Sequence, residues 1–238
     1  LQRNLGRLYR GADLARPRRA TKAGERLRVG FLSAHFRDHT IGRLNLGRIT
    51  QLDRGQFDVT VLSVGRHRDT MSEAFARAAD HYLEATGTID VVRRQVADLA
   101  LDLLVFADVG MDAMTYTLAF SRMADVQCAT WGHPVTTGSP TMDYFLSSRA
   151  LETEASDSHY TERLVRMDNL GTYYYRPRRG ENARTRQSFG LDVSKHFYFC
   201  PQTLFNLHPE FDAILAGILR RDPRAEIVLI EGRQPTWT

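Results

Sequence analysis

Short apolar runs alternate with amphipathic helical segments along most of this chain, and this alternation constrains the fold more than any other feature. It predicts strands at residues 27–32, 57–64, 82–85, 101–106, 126–130 and 144–147, and helices at residues 41–52, 70–79, 89–99 and 113–123. The run Leu103-Leu-Val-Phe106 is entirely apolar, which is typical of a parallel strand buried on both faces. The order predicts an α/β fold with a doubly wound parallel sheet.

The alternation of strands and helices stops near Thr172, and a second unit of the same kind follows. Three tyrosines and the segment Arg176-Pro-Arg-Arg179 indicate a linker, after which a strand at 196–200, a helix at 209–221 and a strand at 226–230 are predicted. We therefore expect three parts: residues 1–25, the end of a helical region with a basic connector; residues 26–180, a Rossmann-like lobe; and residues 181–238, the start of a second lobe. Two lobes predict an enzyme with a cleft between them, and a chain that opens on Leu1 and ends after a strand is expected to be a piece of a longer protein.

Charge and hydropathy exclude several classes of partner. The net charge is +4, but the basic residues are scattered and their densest clusters, 16–19 and 176–179, lack an aromatic stacking platform, so no nucleic-acid partner is expected. The longest apolar run, 99–107, contains Asp102 and is far shorter than the roughly 20 residues that cross a bilayer. Cys128 and Cys200 have no zinc-type spacing. We expect a cytoplasmic protein with no membrane partner and no metal.

Polar loops follow four of the predicted strands, where open parallel sheets bind their ligands. They cover residues 33–42, 107–112, 131–138 and 201–209 and are rich in histidine, glycine, threonine and aspartate. His39 lies at a predicted helix start, where the helix dipole disfavours a protonated imidazole; it could accept a proton, hydrogen-bond a substrate, or simply cap the helix. Thr136 and Thr137 offer hydroxyls and amides to a sugar or phosphate, or a helix cap.

The remaining loop residues have two readings each. Trp131, beside Gly132, could stack on a sugar face or belong to the core. Asp108 and Asp112 could orient an acceptor hydroxyl or form turns. His35 is left open, and no chemistry is assigned to His67, His81 or His159. The chain has no Walker loop, no GxGxxG and no serine nucleophile elbow, which argues against a kinase, an ordinary dehydrogenase and an α/β-hydrolase.

The combination and order of these motifs resembles the bacterial O-linked N-acetylglucosamine transferase (SPINDLY-like) family. The motifs are 27–33 with His39, 103–108, 127–134 with Thr136-Thr-Gly138, 142–144 and 198–209. The resemblance implies a GT-B-type fold of two Rossmann-like lobes after a tetratricopeptide array. It also implies inverting, metal-independent transfer of a sugar, N-acetylglucosamine by expectation, from a UDP-sugar co-substrate to Ser/Thr hydroxyls of polypeptides.

The resemblance also assigns roles to residues. His39 matches the family's active-site histidine, Asp108 a position beside the acceptor, and Trp131 and Gly132 positions that line the sugar. We group Asp112, Thr136 and Thr137 with these substrate-binding residues, while Gln202, Thr203 and Asn206 match the stretch that meets the uridine and diphosphate of the donor. The family usually has a lysine at the position of Asn206. Loss of such a cation typically costs about 2.7–4 kcal/mol of transition-state stabilisation.

Three functions remain open on the sequence. The first is protein glycosyl transfer by direct displacement, in which this piece alone should be inactive. The second is a catalytically silent module that binds nucleotide-sugar or peptide, which Asn206 favours. The third is a nucleotide-sugar epimerase of similar two-lobed fold.

Overall fold

The computed structural model describes residues 24–176 and 184–231. The chain divides into two compact units, and the second begins after Arg176. The predicted lobe boundary at residue 180 and nearly all of the predicted helical region at residues 1–25 lie outside the described residues. Both therefore stay predictions, as does the predicted cleft between the lobes.

Strands and helices alternate through the first unit. Its elements are β1 (Leu27–Ser33), α1 (Thr40–Thr50), β2 (Phe57–Val64), α2 (Thr70–Ala78), β3 (His81–Ala85), α3 (Ile89–Asp98), β4 (Leu103–Phe106), α4 (Ala113–Leu118), β5 (Val126–Thr130), β6 (Tyr144–Ser148), a 3-10 helix (Glu154–His159) and β7 (Arg163–Met167). The seven strands form one sheet in the order β3-β2-β1-β4-β5-β6-β7, and every pair is parallel. The predicted α/β parallel sheet is confirmed.

The two faces of the sheet carry separate apolar cores, because successive side chains of a strand point to opposite faces. On one face, Val29, Phe31 and Val61 pack with Ile41 of α1 and Phe75 of α2. The core of the other face joins the alternate strand positions to α3 and α4; its members include Leu32, Leu62, Leu104, Val92, Val96 and Leu118. Helices on both faces explain why β4 reads as an unbroken apolar run.

The order of the strands reverses at β1. The chain runs from β1 to β2 and β3 on one side and then returns to β4 on the other side of β1. Such a reversal leaves a crevice outside the carboxyl ends of the two strands that flank it, where α/β sheets bind ligands. Here those strands are β1 and β4, so the fold points to the loops that follow them.

Two elements of the first unit differ from the prediction. The helix expected over 113–123 ends at Leu118. The amides of Phe120 and Ser121 bond to carbonyls three residues earlier, and the buried Gln127 side chain then accepts at Oε1 from the amides of Met123 and Ala124. Strand β7 was not predicted at all. It lies at the edge of the sheet, and its arginines at 163 and 166 break the apolar pattern that marks the inner strands.

The segment predicted as a linker is partly fixed to the first unit. The Thr172 hydroxyl donates to the carbonyl of Leu44, and the Tyr175 and Thr50 hydroxyls are hydrogen-bonded. A Cβ on Gly47 would lie 2.4 Å from the carbonyl oxygen of Tyr173, so glycine allows this close packing on α1. A linker cannot start at Thr172.

The second unit contains two parallel strands, β8 (His196–Thr203) and β9 (Ala225–Ile230), and helix α5 (Phe211–Arg221) between them. Short 3-10 turns lie at Gln187–Phe189 and Leu204–Asn206. The predicted strand, helix and strand are all present, although the helix begins two residues after Pro209. In the described residues this βαβ unit forms a two-stranded parallel sheet.

Candidate active site

The loop after β1 turns back over the carboxyl end of the sheet. The amide of His35 donates to the hydroxyl of Ser33 at 2.8 Å, and the amides of Arg37 and His39 donate to the carbonyls two residues earlier. These tight turns bring His35 and His39 onto the same side of the loop, with their ring centroids 4.4 Å apart and their planes 20° from parallel. The loop therefore presents a stacked pair of imidazoles at the switch point.

His39 is the N-cap of α1, as the sequence predicts. Its backbone is extended, and Nδ1 accepts a hydrogen bond from the amide of Ile41 at 3.2 Å. Burial lowers the pKa of His39, and the guanidinium groups of Arg37 and Arg43 lower it further. Because Nδ1 accepts, the neutral ring carries its proton on Nε2. In this arrangement His39 can donate a hydrogen bond to a substrate oxygen but has no free nitrogen with which to remove a proton.

Asp108 follows β4 and is fully buried. Neither of its carboxylate oxygens is hydrogen-bonded among the described residues. Burial raises the pKa of Asp108 to about 7; the Ser33 hydroxyl and the Ala34 amide act in the opposite direction, and the charge of Asp112 raises it again. His35, which the sequence left open, places Nε2 3.6 Å from Oδ2 of Asp108. The β1 and β4 loops thus meet at two titratable groups, the fully buried Asp108 and the partly buried His35.

Gly132 brings the loop after β5 into the same crevice. A Cβ on Gly132 would lie 2.0 Å from the carbonyl oxygen of Ala107 and 3.0 Å from Ile41, so any side chain would push the loop away. The ring of His133 lies against Gly110 in the β4 loop. The structure therefore joins His39, Asp108 and Gly132, three residues that the sequence placed in one site.

Trp131 is held by the fold. Its indole Nε1 donates to the carbonyl of Leu170 at 2.9 Å, and its ring packs against both apolar cores. Of the two roles that the sequence left open for Trp131, membership of the core is the one seen in the structure. The indole N–H is not available to a sugar while it is bound to Leu170, although the half-buried ring could still offer part of its surface.

Thr136 and Thr137 are fastened by a buried carboxylate that sequence reasoning missed. Glu162 accepts from the Thr136 hydroxyl at 2.6 Å, from the Thr137 amide at 2.7 Å and from the Thr137 hydroxyl. Their hydroxyl hydrogens are therefore not free to donate to a sugar or phosphate. The prediction that these hydroxyls donate directly to a ligand does not agree with this arrangement. The two threonines shape the loop instead. No local signal reveals Glu162, because it comes from the start of β7, a strand the sequence did not predict.

Asp112 caps α4 rather than pointing freely into the crevice. Its Oδ1 accepts from the amide of Thr115 at 2.9 Å. The turn-forming reading of Asp112 is therefore observed, and its negative charge acts on its neighbours by raising the pKa of Asp108.

In the second unit, Gln202, Thr203 and Asn206 form one cluster at the end of β8. The Asn206 amide group donates to Oε1 of Gln202 at 3.2 Å and to the hydroxyl of Thr203 at 3.0 Å. The sequence predicted these three residues as a group, and the structure brings them together. Their partners are one another, so Asn206 supplies the cluster with no positive charge.

The family model described as Glycosyl transferase family 41 matches residues 8–175. This match covers most of the chain and contains all three converging loops. The chain belongs to glycosyl transferase family 41.

Two relatives agree with this family 41 assignment. A protein of Arabidopsis thaliana described as a probable UDP-N-acetylglucosamine–peptide N-acetylglucosaminyltransferase, SEC, is 20% identical over 216 residues, which are 87% of this chain and 22% of the relative. A lysine-to-methionine mutant of the O-GlcNAc transferase of Thermobaculum terrenum is 26% identical with a TM-score of 0.78, and the match covers 99% of this chain and 45% of that one. The chain spans less than half the length of either relative. The second match confirms the predicted GT-B-type α/β fold.

Across residues 24–176 and 184–231, no three His, Cys, Asp or Glu side chains are grouped so that they could hold a metal ion. None of the helices in that same part of the chain combines the length and the apolar character needed to span a bilayer.

Proposed function

We propose that the protein containing this chain transfers N-acetylglucosamine from a UDP-sugar to serine or threonine hydroxyls of polypeptides, with inversion at the anomeric carbon, in the cytoplasm. The observation that carries the proposal is the convergence of His39, Asp108 and Gly132 at the switch point of a family 41 sheet. The Arabidopsis relative is described as a probable peptide N-acetylglucosaminyltransferase and the Thermobaculum relative as an O-GlcNAc transferase.

The chemistry of inversion sets the roles. The acceptor oxygen forms a bond to the anomeric carbon while the bond to the diphosphate oxygen breaks, and that electron pair leaves with UDP. The proton of the acceptor hydroxyl leaves in the same step and is taken up by an oxygen of the departing diphosphate, so that the products are the glycosylated hydroxyl and UDP. Since Nδ1 of His39 accepts from Ile41, we assign His39 the role of a hydrogen-bond donor through Nε2. Its target would be an oxygen of the sugar, the acceptor or the diphosphate.

The other predicted residues have supporting roles. Gly132 and the threonine loop fastened by Glu162 would form the sugar side of the site. Gln202, Thr203 and Asn206 would meet the uridine diphosphate. No metal is needed in this scheme, because hydrogen bonds from the protein would stabilise the leaving diphosphate.

Two substitutions of His39 test the proposal in the full-length protein. His39→Asn keeps a good helix cap but removes the imidazole, whereas His39→Ala removes both. Both should slow transfer from labelled UDP-N-acetylglucosamine to a serine-containing peptide by on the order of 10²-fold. Only His39→Ala should also lower the free energy of unfolding, by about 1 kcal/mol. Unchanged turnover in His39→Asn would remove His39 from the mechanism.

A second candidate, a silent module that binds nucleotide-sugar, is favoured by one observation. The amide group of Asn206 is occupied by Gln202 and Thr203, and it provides no cation for a departing diphosphate. The same assay separates the functions. Labelled peptide supports transfer, UDP binding without labelled peptide supports the silent module, and release of a free epimeric sugar supports an epimerase.

A further inference from the structure

His35 and Asp108 face each other where the loops after β1 and β4 meet, and the Ser33 hydroxyl and the Ala34 amide also act on the Asp108 carboxylate. Both ring nitrogens of His35 and both oxygens of Asp108 are inaccessible and lack hydrogen bonds to described residues. The closest approach between them is 3.6 Å, from Nε2 to Oδ2. Buried polar groups without hydrogen bonds are costly and rare in folded proteins, so four such atoms in one place point to a shared role.

The fold itself creates this pair. Strands β1 and β4 are neighbours, with Leu32 paired to Phe106, so the residues that follow them emerge side by side. The hydrogen bond from the His35 amide to Ser33 turns the histidine back toward the sheet. Asp108 lies at the corresponding point after β4. The two groups are therefore held by the backbone and not by mutual attraction alone.

His35 also forms the support on which His39 lies. The two rings are stacked with centroids 4.4 Å apart. Asp108, His35 and His39 thus make a continuous column from the buried carboxyl group to the ring at the mouth of the crevice. A change of charge or position at Asp108 or His35 would alter the position or the electrostatic environment of the His39 ring.

The surrounding charges explain the state of the pair. Burial is the main influence on both groups, raising the pKa of Asp108 to about 7 and lowering the pKa of His35. His39, Arg37 and His67 also lower the pKa of His35, and Asp112 raises it. Both groups are driven toward neutrality, and together they can be neutral with one proton between them. A movement of about 0.6 Å would bring their 3.6 Å contact to hydrogen-bond length.

We propose that His35 is a positioning residue: its imidazole and the carboxyl group of Asp108 share one proton, and this neutral pair holds the ring of His39 with Nε2 directed to the substrate. The part that concerns substrate rests on the proposed function. The pair also removes the net negative charge that an isolated, ionised Asp108 would place next to His39 and His35. It forms and breaks no covalent bond to the sugar.

The first experiment detects the shared proton without any assay of activity. Histidine side chains labelled with ¹⁵N in the full-length protein are titrated by NMR. Asp108→Asn should lower the pKa of His35 by one unit or more, because His35 loses its acidic partner, and by more than Asp112→Asn, which removes another carboxylate that raises this pKa. Equal shifts in the two variants, or none, would overturn the pairing.

The second experiment tests the positioning of His39. His35→Phe keeps a stacked ring but holds no proton, and His35→Ala removes both. In wild type and His35→Phe the ¹⁵N shifts of His39 should show one tautomer, with hydrogen on Nε2, and in His35→Ala a mixture. His35→Ala should lower kcat about tenfold with KM within twofold, and His35→Phe should recover part of kcat with an altered pH profile. An unchanged His39 spectrum and unchanged kcat in His35→Ala would refute the positioning role.

The NMR titration and the transfer assay also distinguish a failure of the shared proton from a failure of the proposed function. If wild type transfers no sugar but Asp108→Asn shifts the titration of His35 as expected, the proposed function fails and the shared proton stands. If wild type transfers sugar and His35 titrates identically in both aspartate variants, the inference alone fails.

Discussion

The two units of this chain are built from the same βαβ pattern, yet their candidate residues are held in opposite ways. In the first unit β1 and β4 are almost entirely buried, and the loops after them are fixed by caps, turns and close packing. In the second unit β8 is largely exposed, with Phe199 60% accessible, and Gln202, Thr203 and Asn206 bind one another at the surface. A parallel strand has this exposure when little of the described chain covers its faces.

The comparison teaches where function and stability are coupled. A residue such as Gly132 or Asp108 lies between the core and the crevice, so its substitution should alter the stability of the first unit as well as its chemistry. The Asn206 side chain is exposed in the described part of the second unit, so its substitution should alter chemistry alone. Three measurements test this contrast.

The largest expected difference lies between two glycines. Gly132→Ala places a methyl group 2.0 Å from the carbonyl oxygen of Ala107, and the backbone must move. We expect the free energy of unfolding of the first unit to fall by about 3 kcal/mol. The matched control is Gly217→Ala in α5, where a Cβ meets nothing within 4 Å, and alanine should raise helix stability by about 0.5–1 kcal/mol. Urea unfolding followed by circular dichroism measures both, and similar changes would contradict the contrast.

A smaller effect, with a defined dependence on pH, is expected at Asp108. Its pKa in the folded state, about 7, exceeds the ordinary 3.8, so between these values the folded protein binds more protons than the unfolded chain. Stability from this group is therefore lost as pH rises from about 4 to about 7. Asp108→Asn removes the penalty, and it should stabilise the protein by about 1–3 kcal/mol more at pH 8 than at pH 5.

The control for this measurement is Asp112→Asn. Asparagine caps helices as well as aspartate does, so the change in unfolding free energy should stay below about 0.5 kcal/mol at pH 5. At pH 8 the lost charge of Asp112 relieves part of the cost of ionised Asp108, and the gain should be smaller than that of Asp108→Asn. Denaturant titrations of both variants at pH 5 and pH 8 make the comparison. If Asp108→Asn gains no more stability at pH 8 than at pH 5, the pKa of Asp108 is not raised in the folded protein.

The smallest effect on stability is expected at Asn206. Asn206→Lys should change the free energy of unfolding by less than about 0.5 kcal/mol, because the side chain is exposed. If the full-length protein is a weakened transferase, the added cation should raise kcat by about tenfold or more. Asn206→Gln adds length without charge and should not. No gain in rate with lysine would show that the charge is supplied elsewhere.

Most of the fold could be read from the sequence because its signals are local. Apolar runs, caps and periodicity predicted nine of the strands and helices of the first unit within a few residues and, for α4, all but its end. The misses have non-local causes. Beyond the end of α4 the Gln127 side chain binds the amides of Met123 and Ala124, and the edge strand β7 carries arginines at 163 and 166 and so lacks an apolar run.

The candidate site was predictable as a set of loops but not as a set of contacts. Strand ends identified His39, Asp108 and Gly132, since parallel strands place their carboxyl ends together. The importance of His35 and Glu162 depends on partners far along the chain, Asp108 and the two threonines. No local pattern carries that information.

The amino-acid sequence by itself determined the α/β fold, the ends of the strands and the loops that carry the chemistry, because periodicity and capping act over a few residues. Only the tertiary structure decided which of those side chains are free to act. In the structure Nδ1 of His39 accepts from Ile41, which leaves the proton of the neutral ring on Nε2. The threonine hydroxyls donate to Glu162, and Asp108 is buried next to His35. Hydrogen-bond partners and burial are set by contacts between distant segments, which exist only after the sheet has formed.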